Sequence, residues 1–254
     1  MNDQRPSPSP TPNPANDPWA RLRHATRARI GLGRAGDGLP TQALLDFQLA
    51  HARARDAVHT PFDAEAIAAR IANRPAIRVY SAAESRATYL QRPDLGRRLH
   101  VDSAALLQPG PYDVAFVIGD GLSATAVHEH AAPMLAAALD RLEGWSVAPV
   151  VLATNCRVAL GDDIGARLGA GMVVMVIGER PGLSAADSLG LYLTFDPKPG
   201  RKDSERNCIS NVHPPDGLGY EAAADKLAWL MREARHLKLT GVGLKDDAPS
   251  LPAP

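Results

Sequence analysis

The 254-residue chain carries 28 lysine and arginine residues against 28 aspartates and glutamates, so no net field draws it to nucleic acid or an anionic membrane. Its two cysteines, Cys156 and Cys208, argue against a disulfide framework and suit a reducing cytoplasm. No apolar run approaches the roughly 18 residues of a membrane span, no signal-peptide core opens the chain, and the length allows a substantial core in one large or two small domains.

Residues 1–16 are rich in proline, serine and asparagine without apolar periodicity, which predicts a disordered tail. Asp17-Pro18 then starts a helix, with an acid at the N-cap and proline at the first helical position. Trp19 to Ile30 continues it and carries Arg21, Arg23, Arg27 and Arg29. These arginines fit a solvated basic face or a docking surface for an acidic partner or ligand. Gly31-Leu-Gly-Arg-Ala-Gly36 matches the dinucleotide pattern G-x-G-x-x-G, but it follows a helix and runs into the loop Asp37-Gly38-Leu39-Pro40. A nucleotide fingerprint must follow a strand and open a helix, so the match is set aside.

Thr41 to His59 reads as a helix with Leu44, Leu45, Leu49 and Ala52 on one stripe. Pro61 ends it and Asp63 caps a short helix, Ala64 to Ile71. Ile77 to Tyr80 is a candidate edge strand, and Glu84 to Leu90 and Pro93 to Leu107 read as two more helices. Residues 17–110 are thus expected to form a helical N-terminal region.

From Pro111 strands and helices alternate, the signature of an α/β fold with a parallel, Rossmann-like sheet flanked by helices, over residues 111–254. The predicted strands are Val114–Ile118, Ala148–Ala153 and Met172–Ile177, with weaker ones at Leu189–Leu193 and Cys208–Val212. The predicted helices are Ser123–Glu143, Val158–Leu168 and Tyr220–Leu237, the last with Leu227, Leu230, Met231 and Ala234 inward.

The stretch Met172 to Ser184 organises this half. Six apolar residues, mostly β-branched, read as a strand buried on both faces. Gly178 stops it, Glu179 and Arg180 follow, and Pro181-Gly182 forces a turn. Ligands of open α/β sheets bind outside the carboxyl ends of the strands. The charged pair fits such a ligand rim, and it equally fits a solvated loop. Asp113 to Ala124 echoes the pattern, ending in Gly119-Asp120-Gly-Leu-Ser123, which predicts two strands ending at one rim.

No G-x-x-x-x-G-K-[ST], G-x-S-x-G or H-E-x-x-H string occurs. His128 and His130, two apart on a helix, do not share a face and are read as surface residues rather than a metal pair. Cys156 and Cys208 lack zinc-site spacing and read as small buried hydrophobes, with polar groups on both sides of Cys208 in Arg206-Asn-Cys-Ile-Ser-Asn211. The residues by themselves give an α/β domain with a polar strand-end rim and no self-sufficient catalytic set.

From about Trp19 onward the chain resembles the small (light) subunit of ethanolamine ammonia-lyase. The resemblance rests on Arg27-Ala-Arg-Ile-Gly-Leu-Gly-Arg-Ala-Gly36, on Leu39 to Asp56, and on Tyr89-Leu-Gln-Arg-Pro-Asp-Leu-Gly-Arg-Arg-Leu99. It continues through Asp120-Gly-Leu-Ser123, Gly178-Glu-Arg-Pro-Gly-Leu-Ser184, Arg206-Asn-Cys-Ile-Ser-Asn211 and Gly241-Val-Gly-Leu-Lys-Asp246.

The family implies adenosylcobalamin, whose cobalt–carbon homolysis gives a 5′-deoxyadenosyl radical that takes hydrogen from ethanolamine, leading to acetaldehyde and ammonia. It implies a large-subunit partner, a β/α barrel holding substrate, in a hetero-oligomer of several large–small pairs, with residues 17–110 docking the partner. The cofactor then carries the hard chemistry, which accounts for a chain without a catalytic set. The family's cobalamin contacts fall on Val158, Glu179 and Cys208; Arg180, Asp120 and Ser123 are expected beside them on position alone, not from the family.

Cobalamin enzymes of another class use a histidine in an Asp-x-His-x-x-Gly string. His213-Pro-Pro-Asp-Gly217 is out of that order, so no protein ligand to cobalt is expected. The resemblance implies the bacterial cytoplasm. Relatives packaged in ethanolamine-utilisation microcompartments can carry an N-terminal amphipathic segment, which the proline-rich residues 1–16 do not supply, so packaging is left open. Two other readings stand beside this one: a non-catalytic assembly subunit that does not touch cofactor, and an independent nucleotide-binding α/β enzyme with Asp120 or Glu179 on a ribose.

Overall fold

Six strands form a single sheet in the computed structural model, which describes residues 17–71, 74–245 and 247. The tail expected over residues 1–16 lies outside them. In chain order the elements are α1 (Ala20–Ala25), α2 (Thr41–His59), α3 (Ala64–Arg70), β1 (Ala76–Tyr80), α4 (Arg86–Gln91), α5 (Val101–Ala104), β2 (Val114–Gly119) and α6 (Ala124–Leu139). There follow β3 (Val150–Thr154), α7 (Leu160–Leu168), β4 (Met172–Gly178), β5 (Leu189–Phe195), β6 (Asn207–Val212) and α8 (Tyr220–Leu237).

The sheet order is β1-β3-β2-β4-β5-β6. The first four strands are parallel, and β2 and β4 are buried along their whole length, as their unbroken apolar sequence requires. Alternate side chains divide the core into two layers. Val114, Phe116, Ile118, Val174 and Val176 meet α6 and α8, while Ala115, Val117, Val173 and Met175 meet α7. Loops leaving the adjacent strands β2 and β3 therefore run to opposite faces, which opens a crevice at their carboxyl ends.

Three expectations are corrected. The sheet is mixed, because β5 is antiparallel to β4 and β6 to β5. The ten residues between Gly178 and Leu189 hold no helix, and a parallel return needs a crossover of about a dozen residues or more. The helix expected over Pro93–Leu107 is a 3-10 turn at Leu95–Arg97 followed by the single-turn α5. Between them Arg98–His100 is drawn out against the end of β1: the Ala82 N–H donates to the Arg98 carbonyl, and the His100 N–H to the Tyr80 carbonyl. Helix α1 is also shorter than expected, since Thr26 is already extended.

The histidines of α6 do face different ways, but neither is a free surface residue. His128 turns to α3, where its Nε2 accepts the Asp63 N–H at 2.9 Å and its ring stacks on Phe62. His130 is buried against α8. Burial holds both imidazoles below their ordinary value of 6.5. A depressed base contributes stability that is full above 6.5 and is lost as pH falls through its lower folded value. His128→Gln is therefore expected to flatten the fall in melting temperature between about pH 7 and pH 5 relative to the unsubstituted chain. Parallel slopes for the two proteins would contradict this.

Candidate functional site

The carboxyl ends of β2, β3 and β4 are locked together by an acid that the solvent barely reaches. Asp120, 2% exposed, accepts the Cys156 N–H through Oδ1 at 3.0 Å and the Asn155 N–H through Oδ2 at 2.9 Å. Arg86 Nη1 approaches the same Oδ2 at 3.2 Å and donates to the Gly121 carbonyl at 2.8 Å. Burial raises the Asp120 carboxyl, against these donors, which favour its anion.

On the next strand, the Gly178 carbonyl accepts the Leu122 N–H at 3.0 Å. Gly121 has φ +53°, and a Cβ there would stand 2.2 Å from the Gly178 carbonyl oxygen, so only glycine permits the approach. The echoed Ile-Gly-acid strings are the two halves of this contact.

Above the lock lies a cleft of about 420 Å³. Gly121, Leu122, Gly178, Glu179 and Arg180 line one part, Arg157 and Val158 another, and Tyr89, Ile177 and Tyr192 complete it. Tyr89 is fully buried, gives its hydroxyl to the Cys156 carbonyl at 2.9 Å, and lies between the guanidinium groups of Arg86 and Arg157, 4.9 and 4.6 Å from its ring centre.

Glu179 is anchored by one oxygen. Its Oε2 accepts the Ser188 hydroxyl at 2.7 Å and the Asn211 N–H at 3.1 Å, while Oε1 accepts no bond among the described residues. Gly190 makes room for it, since a Cβ there would meet Tyr192 at 2.8 Å and Glu179 Oε1 at 3.2 Å. Arg180 is exposed with no ion-pair partner among the described residues, and Arg157 Nε is buried without an acceptor. The cleft thus offers one free carboxylate oxygen, unpaired guanidinium groups and apolar walls, with no nucleophile–base pair.

The sequence profile of the ethanolamine ammonia-lyase light chain matches residues 16–245. The chain belongs to this family. It is 54% identical over 247 residues to the ethanolamine ammonia-lyase small subunit of Pseudomonas fluorescens, covering 93% of this chain and 90% of the relative. The corresponding figures are 55% over 242 residues for the Ralstonia nicotianae small subunit (91% and 89%) and 53% over 258 for that of Azotobacter vinelandii (98% and 93%).

Within this light chain, Val158 and Glu179 line the same cleft. Cys208 is exposed on β6, directly across from the cleft residue Tyr192. Partial burial raises the Cys208 thiol, the neighbouring Tyr192 side chain opposes this, and the charge of Glu179 adds to it. The three residues expected from the family are therefore neighbours at one rim. Arg180 joins them; Asp120 and Ser123 do not. Both oxygens of Asp120 are taken below the cleft, and Ser123 is buried as the N-cap of α6, its Oγ accepting the Ala126 N–H at 3.2 Å. That occupation also removes Asp120 as a ribose acceptor. Sequence reasoning missed Tyr89, Arg157 and Tyr192; the string Tyr89 to Leu99 carried the only signal for the first.

Proposed function

We propose that this chain is the small subunit of an adenosylcobalamin-dependent ethanolamine ammonia-lyase of the bacterial cytoplasm, and that its strand-end cleft forms one wall of the cobalamin site against a large β/α-barrel subunit. The observation that carries this reading is the donor and acceptor set of the cleft: a half-anchored Glu179, an orphaned Arg157 Nε and an unpaired Arg180, with no catalytic pair of its own. A corrinoid fringed with amides, apolar between them, fits such a set.

Glu179 Oε1 would accept from a side-chain amide of the cofactor, Arg157 and Arg180 would donate to amide oxygens, and Val158 and Ile177 would pack on apolar edges. Cys208 and Tyr192 would close the rim beside them. When bound, adenosylcobalamin would supply the radical chemistry that turns ethanolamine into acetaldehyde and ammonia. The residues of this chain bind, orient and shield.

The N-terminal region, residues 17–110, is read as the docking surface for the large subunit. Leu44, Leu45, Phe47 and Leu49 of α2, with Trp19, Leu22 and Leu39 before it, remain 37–53% exposed. Apolar side chains gathered on one segment in this way mark an interaction site. Only Ala57 of α2 is buried, so the fold itself does not use the stripe. One large–small pair would repeat in a hetero-oligomer.

The test is spectrophotometric titration of adenosylcobalamin into the co-purified large and small subunits. Glu179→Ala is expected to weaken binding about tenfold, the worth of one hydrogen bond of roughly 1.4 kcal/mol. Ser188→Ala, which loosens Glu179 without removing its free oxygen, should change affinity less. Equal affinities for the unsubstituted complex and Glu179→Ala, or full activity of the large subunit alone, would overturn the reading.

A further inference from the structure

On the sheet face opposite the cleft, three ionisable side chains meet, with a fourth, His213, close enough for its charge to act on His130. Glu129 and His130 come from α6, Asp187 from the loop before β5, and His213 from the turn after β6. One ligand atom each from Glu129, His130 and Asp187 lies within 4.8 Å of the others. Neither carboxylate has a hydrogen-bond or ion-pair partner among the described residues. Arg70 approaches from α3 but gives its guanidinium to the main-chain carbonyls of His128 and Glu129.

His130 is 3% exposed. Its Nδ1 lies 2.7 Å from the Tyr220 hydroxyl, and its Nε2 is buried with no partner. His213 repeats the arrangement: 6% exposed, Nδ1 3.2 Å from the Asn211 carbonyl, and Nε2 buried and unpartnered. A buried polar nitrogen left without a partner is costly, and that of His130, whose ring stands beside two unpaired carboxylates, asks for a cation.

We propose that Glu129, His130 and Asp187 bind one divalent transition-metal ion, zinc in the first instance, with water completing its coordination. One imidazole nitrogen with two carboxylates matches a zinc site and neutralises its charge, whereas magnesium and calcium prefer oxygen alone. Tyr220 supplies the outer contact: with Nδ1–H given to its hydroxyl, the lone pair of His130 is left on Nε2. Zinc–ligand bonds of about 2.0–2.2 Å require the separation to contract, and exposed Glu129 and half-buried Asp187 are the side chains able to turn. The ion would staple the loop over residues 179–188, which carries Glu179 and Arg180 of the cleft, to α6.

The experiment uses the full chain co-purified with its large subunit, stripped by chelator and titrated with zinc chloride against a chromophoric competitor. One zinc per small subunit is expected beyond any held by the large subunit, together with a rise in melting temperature on loading. Asp187→Asn should lose at least about tenfold in affinity, and Tyr220→Phe, which leaves the ligands in place, about 10- to 100-fold. Asp187→Asn should match the unsubstituted protein in melting temperature when both are metal-free, which separates loss of the ion from loss of the fold. Absence of the small-subunit zinc, or unchanged affinity in both Asp187→Asn and Glu129→Gln, would overturn the site.

Discussion

Asp120→Ala is expected to lower the unfolding free energy by about 3–5 kcal/mol, the cost of leaving two buried main-chain N–H groups and a part-buried guanidinium without their acceptor. The substitution removes the acceptor of two main-chain N–H groups, those of Asn155 and Cys156, and one contact of the Arg86 guanidinium. None of these donors can turn to water, because Asn155 and Cys156 are buried and Arg86 is held by the Val58 and Gly121 carbonyls. Asn155 is moreover in the left-handed region at φ +54°, a conformation the turn keeps because its N–H is satisfied there.

Asp120→Asn should recover little. One amide oxygen can still accept, but the amide NH2 would then face donors on the other side. Guanidinium denaturation checks both, and a loss below about 1 kcal/mol would show that the lock is not what holds the strand ends together. Arg157 and Val158 follow this turn directly, so the same variants should also loosen the cleft.

Most strands were legible because their signal is local. Met172–Ile177 and Val114–Ile118 are unbroken apolar runs, and each proved to be a central strand buried on both faces. The echo between them correctly predicts a common rim, and Gly31 to Gly36, set aside for want of a preceding strand, is indeed loop.

What escaped depends on partners far along the chain. Asp120 looks like a rim acid until Arg86, Asn155 and Cys156, 34 to 36 residues away, are brought around it. His130 looks like half of a surface pair until Tyr220, 90 residues on, covers it. Arg98–His100 has helical composition, but extended pairing with the end of β1 takes its main-chain groups. In each case a tertiary contact outweighed a local preference worth only a fraction of a kcal/mol per residue.

The other large effect is expected at Arg206, which the sequence marks only as a polar residue near Cys208. Its side chain is 2% exposed and pairs through Nη1 with Asp162, itself 1% exposed. The same guanidinium donates to Thr194 Oγ1 at 3.1 Å and to the Arg201 carbonyl at 2.9 Å. Burial raises the Asp162 carboxyl, and Arg206 opposes this by favouring the anion.

Arg206→Met leaves Asp162 desolvated without its ion-pair partner, and Asp162→Leu leaves Arg206 with only the exposed Asp203 at 3.5 Å; each is expected to cost about 3–5 kcal/mol. The double variant removes both charges from the interior. It should be more stable than either single one, because no unpaired ion remains and two apolar side chains fill the space. Summed single-variant costs in the double variant would mean that the two charges act independently. The pair joins the first turn of α7, just after Val158, to the start of β6, just before Cys208. Breaking it should separate two of the three residues proposed to hold the cofactor, so Arg206→Met ought to weaken cobalamin binding to the assembled complex even under conditions where the fold survives, and the double variant ought to recover part of that loss.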